Sequence, residues 1–172
     1  GGGINSVETA VEIVRSGADK VSINSAAVRN PKLISQLATR LGSQCVVVAI
    51  DARQLNDKWK VVVDGGRTET EWQVVDWAKK AVQLGAGELL LTSMNKDGTK
   101  SGFAVDITEQ VSSSVNVPVI ASGGAGTKAH FREIFSESSA SAALAASIFH
   151  FKEIPIPELK DYLNKNEIPI RK

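Results

Sequence analysis

The chain has one cysteine and two histidines among its 172 residues. A lone Cys45 cannot form an intrachain disulfide, which removes the stapled secreted scaffolds and suits a cytoplasmic enzyme. It sits in the apolar run "CVVVAI", where the sequence predicts a buried core thiol. His130 and His150 have no second ligand at metal-binding spacing, so no metal is expected, and no other cofactor signature is legible. His130 reads as a helix-surface residue and His150 as a loop or packing residue. No apolar stretch reaches the ~20 residues of a membrane helix, and no secretory leader is visible. With 20 basic and 19 acidic residues and a net charge of +1, the chain lacks the charge excess that nucleic acid or an acidic membrane would call for. Aromatics make up only 5%, and Trp72 and Trp77 are read as packing residues on a helix. Neither a nucleic-acid nor a membrane partner is expected; a small molecule is.

The chain also lacks an initiating Met, and it lacks a strand ahead of its opening "GGGINSVETA". Glycine loops of this kind, which can cradle phosphate on backbone N–H groups and a helix N-terminus, normally follow a strand, so an upstream strand is expected. Asn5 and Glu8 are placed to form a capping box, and Val7, Ala10, Val11 and Val14 make the stripe of a helix that Gly17 ends. "DKVSIN" reads as a strand. Asn30 and Pro31 open a second helix as cap and first-turn proline, and the continuous apolar run to Asp51 reads as a parallel strand covered on both faces. After an excursion whose "DGG" signals a hairpin, the alternation resumes through "ELLLTS", "VPVIAS" and "AALAAS", each followed by a helix. Five βα units imply a parallel sheet with right-handed crossovers.

Two features favour a barrel over an open sheet. Glycine loops and polar residues recur at the strands' C-terminal ends, where barrel enzymes place their sites. "GGGI" and "GGAG" also echo one another at an offset of about 120 residues, a half-barrel period. In the second echo, Gly123 and Gly124 stand between a strand and a helix, which fits either a phosphate loop or a tight turn. The adjoining "AAS", with Ala146 and Ser147, supplies a second wall and favours phosphate. The first echo repeats the construction with Gly3, Asn24 and Ser25, so a substrate with a phosphate at each end is inferred. Between the loops, Asp51 closes the most apolar strand, where desolvation can tune a carboxylate for proton transfer. Asp97 in "NKDGT" is either a second carboxylate at the substrate or an ordinary turn residue. Lys20 and Glu88, at the opposite strand ends, read as solvated rim.

Taken together, "VSINSAAV", "VVVAIDA", "LLTSMNKDGTKSG", "IASGGAG" and "LAASIFHF" resemble the cyclase subunits of imidazole glycerol phosphate synthase, in order along the whole chain. The resemblance implies a (βα)8 barrel, of which residues 1–172 would form a single incomplete domain: the third helix and the last five βα units. It implies conversion of a bis-phosphate nucleotide intermediate and ammonia to imidazole glycerol phosphate and aminoimidazole carboxamide ribotide. A glutaminase subunit supplying the ammonia at the N-terminal face is the implied partner. By matching motif, Asp51 is one of two catalytic aspartates, the other belonging to an absent first strand. Gly3, Asn24 and Ser25 match one phosphate site; Gly98, Gly124, Ala125, Ala146 and Ser147 match the other. Lys20 and Glu88 match two members of a charged gate at the ammonia entrance. "SESSASAALAAS" departs from the family's usual Gly-Ala-Asp turn. Five strands cut from a closed barrel would expose two unpaired edges, so the chain alone is expected to self-associate and to be inactive. The sister isomerase of the same pathway and a catalytically inactive phosphate-binding partial barrel are the alternatives.

Overall fold

The computed structural model describes residues 2–171. Helix α1 (Val7–Arg15) leads to strand β1 (Val21–Ile23), a short helix α2 (Ser25–Arg29) and helix α3 (Lys32–Leu41). Strand β2 (Val46–Leu55) continues into the antiparallel strands β3 (Lys58–Val63) and β4 (Thr68–Gln73), followed by α4 (Val74–Gln83). Then come β5 (Glu88–Ser93), α5 (Val105–Ser112), β6 (Val119–Ser122), α6 (Lys128–Glu137), β7 (Ala142–Leu144), α7 (Ser147–His150) and α8 (Ile156–Lys165).

Five strands pair in parallel in the order β1-β2-β5-β6-β7. The order follows the chain without the reversal that creates the crevice of a doubly wound sheet. The long strand β2 shares one edge between two neighbours: Val46 to Val48 pair with β1 in parallel, whereas Asp51 to Leu55 pair with β3 antiparallel. The β3–β4 hairpin therefore continues the sheet beyond the C-terminal end of β1. Trp59 anchors it from β3, its Nε1–H donating to Asp106 Oδ2 at 2.9 Å.

The two-residue period of the strands separates two faces. Val21 and Ile23, Val48, Ile50 and Ala52, Leu89 and Leu91, and Val119 and Ala121 are buried, and most of them pack with Leu33, Leu37, Trp77, Ala81, Ile107 and Val111 of the helices. Burial of one such aliphatic side chain contributes about 1.5–3 kcal/mol, and truncating Ile50, which has no exposed surface, to Ala would cost about 2–5 kcal/mol. A second cluster, with Phe103, Phe131, Ile134, Ile148, Leu159 and Leu163, seats α6, α7 and α8 against the β6 end. On the opposite face, Ser22, Ala49, Asp51, Leu90, Thr92, Ile120 and Ser122 are only half-buried.

Several local expectations are corrected. The cap of α1 is Ser6, not Asn5: its Oγ accepts the Thr9 N–H at 3.2 Å, and Glu8 lies in the first turn, where an acid favours the helix dipole. α3 begins at Lys32 with Pro31 at the cap position, while Asn30 contributes its carbonyl to the Leu33 N–H. Trp72 lies on β4, not on a helix, and meets the buried Trp77 ring at 5.2 Å. Cys45 is half-exposed in a 3-10 turn ahead of β2, because the strand starts one residue later. His150 ends the short helix α7 and is exposed. At the turn that departs from the family pattern, Ser138 Oγ donates to the Ile134 carbonyl at 2.5 Å and accepts the Ala140 N–H at 3.3 Å. A hydroxyl there does what a left-handed glycine usually does at a helix end.

Candidate active site

Asp51, Thr92, Ser122 and Leu144 fall side by side across β2, β5, β6 and β7 near the strands' C-terminal ends. Because in-register residues of a parallel sheet share a face, this row crosses the half-buried side of the sheet. A pocket opens at each end of it.

The larger pocket, about 670 Å³, is lined by Gly3, Asn24, Ser25, Arg29, Asp51 and Gly65 among others. It exists because β1 is short: the chain leaves the sheet at Asn24 (φ −125°, ψ −99°) and turns directly into α2. The β3–β4 turn closes one side. Asp64 N–H donates to Ser25 Oγ at 3.0 Å, which leaves the hydroxyl hydrogen of Ser25 free to donate. Asn24 Oδ1 is buried without a hydrogen-bond partner, an open acceptor beside the pocket.

Burial pushes the Asp51 carboxyl above the ordinary carboxylate range; a side-chain hydrogen bond with Asn24 pulls it partly back, and the charge of Asp97 pushes it up again. The electrostatic effect of Asp97 matters because Asp97 lines the other pocket. The Asp51 carboxyl thus senses a charge at the other end of the row that runs through Thr92 and Ser122.

The smaller pocket, about 200 Å³, is lined by Asp97, Gly98, Lys100, Gly124, Ala125, Ala146 and Ser147 among others. Its loops are locked together: Gly102 N–H donates to the Gly124 carbonyl at 2.8 Å, so closely that a Cβ on Gly124 would run into the Gly102 carbonyl. His130 is not a plain surface residue. Its Nδ1 accepts the N–H groups of Gly126 and Thr127 at 3.2 and 3.3 Å, completing a capping box with Thr127. Among the described residues the Gly124 and Ala125 N–H groups, just ahead of it, make no hydrogen bond within the chain. Those donors are available to an anion.

Every residue that the sequence pointed to at the strands' C-terminal ends lies in one of these two pockets: Gly3, Asn24, Ser25 and Asp51 in the first, the remaining seven, Gly123 among them, in the second. Lys20 and Glu88 lie at the opposite end of the sheet as an ion pair, Nζ to Oε2 2.5 Å, with the Glu88 side chain 16% exposed. The sequence reading missed Arg29, Thr92, Lys100 and Ser122. The two strand residues could have been found from their alternation with buried neighbours; the two cations carry no local signal.

A family model described as "Histidine biosynthesis protein" matches residues 1–155. The chain belongs to this histidine biosynthesis family. Among similar proteins, the one named "Imidazole glycerol phosphate synthase subunit HisF" in Hydrogenobaculum sp. (strain Y04AAS1) is 56% identical over 172 residues, covering 99% of this chain and 68% of the relative. Proteins of the same name in Clostridium botulinum (strain Okra / Type B1) and Bacillus cereus (strain G9842) are 55% and 56% identical, each with the same coverage. The resemblance carried by the strand-end motifs is thereby borne out at the level of the family. No helix among the described residues is long and apolar enough to cross a membrane.

Proposed function

We propose that the chain carries the cyclase chemistry of imidazole glycerol phosphate synthase, acting on a bis-phosphate substrate that spans the two pockets. The observation that supports this best is the position of Asp51: a half-buried carboxyl with a raised pKa in the wall of the larger pocket, at one end of a row of side chains whose other end reaches the second pocket. A phosphate in each pocket would hold the substrate's middle over the row Asp51, Thr92 and Ser122, converting an encounter into a positioned reaction. Asp51 would then move protons as ring closure proceeds, helped by a pKa shifted toward working pH. Asp97 would orient the substrate from the far side while its charge keeps the Asp51 proton affinity high.

The half-buried face of small and polar side chains, and strands that follow chain order, support a further reading: these five units form part of an eight-unit barrel with this face inward. On that reading Asp51 is one of two carboxylates the reaction uses, and turnover requires the complementary units. The Lys20–Glu88 pair then belongs to an ammonia entrance at the other end, where a glutaminase subunit of a cytoplasmic synthase would dock. Ammonia-dependent formation of imidazole glycerol phosphate, assayed with the chain alone and with a complementary N-terminal half supplied, tests this. Turnover only with the complement supports the reading; turnover by the 172-residue chain alone overturns the two-carboxylate mechanism; none in either overturns the function.

A further inference from the structure

Each pocket is lined by one cation, and each cation is held by a carboxylate from a different loop. In the larger pocket Arg29 Nη2 donates to Asp64 Oδ1 and Oδ2 at 2.6 and 2.7 Å. In the smaller one Lys100 Nζ donates to Glu153 Oε1 and Oε2 at 2.6 and 2.8 Å. The other ion pairs among the described residues, Lys20–Glu88 and Lys128–Glu158, line neither pocket. We propose that Arg29 and Lys100 are the cationic ligands of the two substrate phosphates, and that Asp64 and Glu153 are counter-ions which the phosphates displace. The proposal rests on reading the pockets as phosphate sites.

Three observations carry it. The pairs are open to solvent: side-chain exposure is 61% for Arg29, 33% for Asp64, 45% for Lys100 and 39% for Glu153. Ion pairs so exposed add little to the stability of a fold, so neither needs to exist for the loops to stand. Second, Asp64 and Lys100 both hold left-handed backbone, φ +57° and +56°. Asp tolerates that region, but Lys pays for it, and a strained loop residue at a pocket is a mark of function rather than of packing. Third, the charges would otherwise work against binding. The smaller pocket is lined by Asp97 as well as Lys100, so with Lys100 held by Glu153 its surroundings carry a net negative charge. Once Glu153 leaves, Asp97 and Lys100 cancel, and a phosphate dianion, with more charge and more acceptor oxygens than a carboxylate, is the stronger partner for Lys100.

The exchange also moves loops. Glu153 follows α7 and Lys100 lies in the loop after β5, while Asp64 lies in the hairpin turn and Arg29 on α2. Each pair thus ties two segments of chain together beside a pocket. Once phosphate takes the cation, the carboxylate-bearing loop is released.

The test is a titration of the 172-residue chain with inorganic phosphate, read at the backbone amides of Gly124 and Ala125 for the smaller pocket and of Ser25 and Gly65 for the larger. Glu153→Gln should tighten binding at Gly124 and Ala125 by roughly threefold to fivefold, the scale of a solvent-exposed ion pair that no longer competes for Lys100, and leave Ser25 and Gly65 unchanged. Asp64→Asn should do the converse. In a Lys100→Gln background the Glu153→Gln gain should shrink to less than twofold. Binding that is unchanged or weaker in Glu153→Gln and Asp64→Asn overturns the counter-ion proposal while leaving the phosphate pockets intact. No saturable response in any of the proteins overturns the phosphate reading, and this proposal with it.

Discussion

The pocket beside Asp51 and the pocket beside Gly124 lie at the same end of the same sheet, but they are assembled in different ways. The smaller one is a product of backbone. Gly98, Gly123 and Gly124 all hold positive φ, the loops after β5 and β6 touch main chain to main chain, and His130 takes up the two N–H groups that follow, leaving those of Gly124 and Ala125 open. The larger one is a product of side chains and of a sheet edge shared between β1 and β3: Asn24 beside Asp51, Ser25 bound to the hairpin turn, and Arg29 paired with Asp64. A pocket built of backbone tolerates few substitutions but needs few particular side chains. One built of side chains depends on each of them separately.

The sharpest way to break this contrast is to replace the one side chain with acid–base chemistry. Asp51→Asn should lower ammonia-dependent turnover, measured with the complementary half supplied, by ~100-fold or more, the usual scale of lost general acid–base catalysis, with little change in KM. Turnover within a few-fold of the parent would remove Asp51 from the mechanism. Next in size is a test of the backbone-built pocket. Gly124→Ala adds a Cβ against the Gly102 carbonyl at φ +98°, so the two loops must part and phosphate binding there should weaken by about tenfold or more, as expected when a left-handed position is lost and its contacts with it. Gly3→Ala, at φ +77° with nothing within 4 Å of the new Cβ, should cost only the backbone strain of about 1–2 kcal/mol. Phosphate titrations of the two variants, compared with their unfolding midpoints, check the pair; equal losses of affinity would erase the distinction.

A smaller effect is expected from Asn24→Ala. The Asn24 hydrogen bond favours ionised Asp51, so its removal should raise the Asp51 pKa further and move the acid limb of the pH–rate profile to higher pH. A limb that stays in place would show that Asn24 does not govern the Asp51 proton. The smallest effect concerns stability. Because burial raises the Asp51 pKa in the folded chain, ionised Asp51 destabilises the fold. That penalty is absent well below the ordinary carboxylate pKa, sets in as the pH rises through the folded pKa, and is complete above it. Asp51→Asn should therefore be more stable than the parent near neutrality, with a difference that shrinks toward acid; urea unfolding at several pH values would show this, and a difference growing toward acid would contradict it.

What the sequence determined is local in origin. Short apolar runs alternating with helical stripes announced the βα units, because strands of a parallel sheet are apolar along their length and the helices that cover them repeat apolar residues every three to four positions; that one face of this sheet stays half-buried was not legible in those runs. Glycines at strand ends announced the smaller pocket, because no other residue takes those backbone angles cheaply. Asp51 stood out as a carboxylate ending an apolar run. The tertiary structure decided what depends on residues far apart in the chain. Arg29 meets Asp64 and Lys100 meets Glu153 only because separate loops converge at one end of the sheet, and neither cation differs in sequence from an ordinary surface residue. Trp72 stands three residues before Val75, a helical spacing, yet pairing of β4 with β3 keeps it in a strand; tertiary hydrogen bonding overrides a weak local period. His130 looked like helix surface because its cap function needs the folded loop ahead of it. Local pattern fixes which face of each element is buried, whereas the meeting of loops is set by the register of β2 against three different neighbours, which no short stretch of sequence encodes.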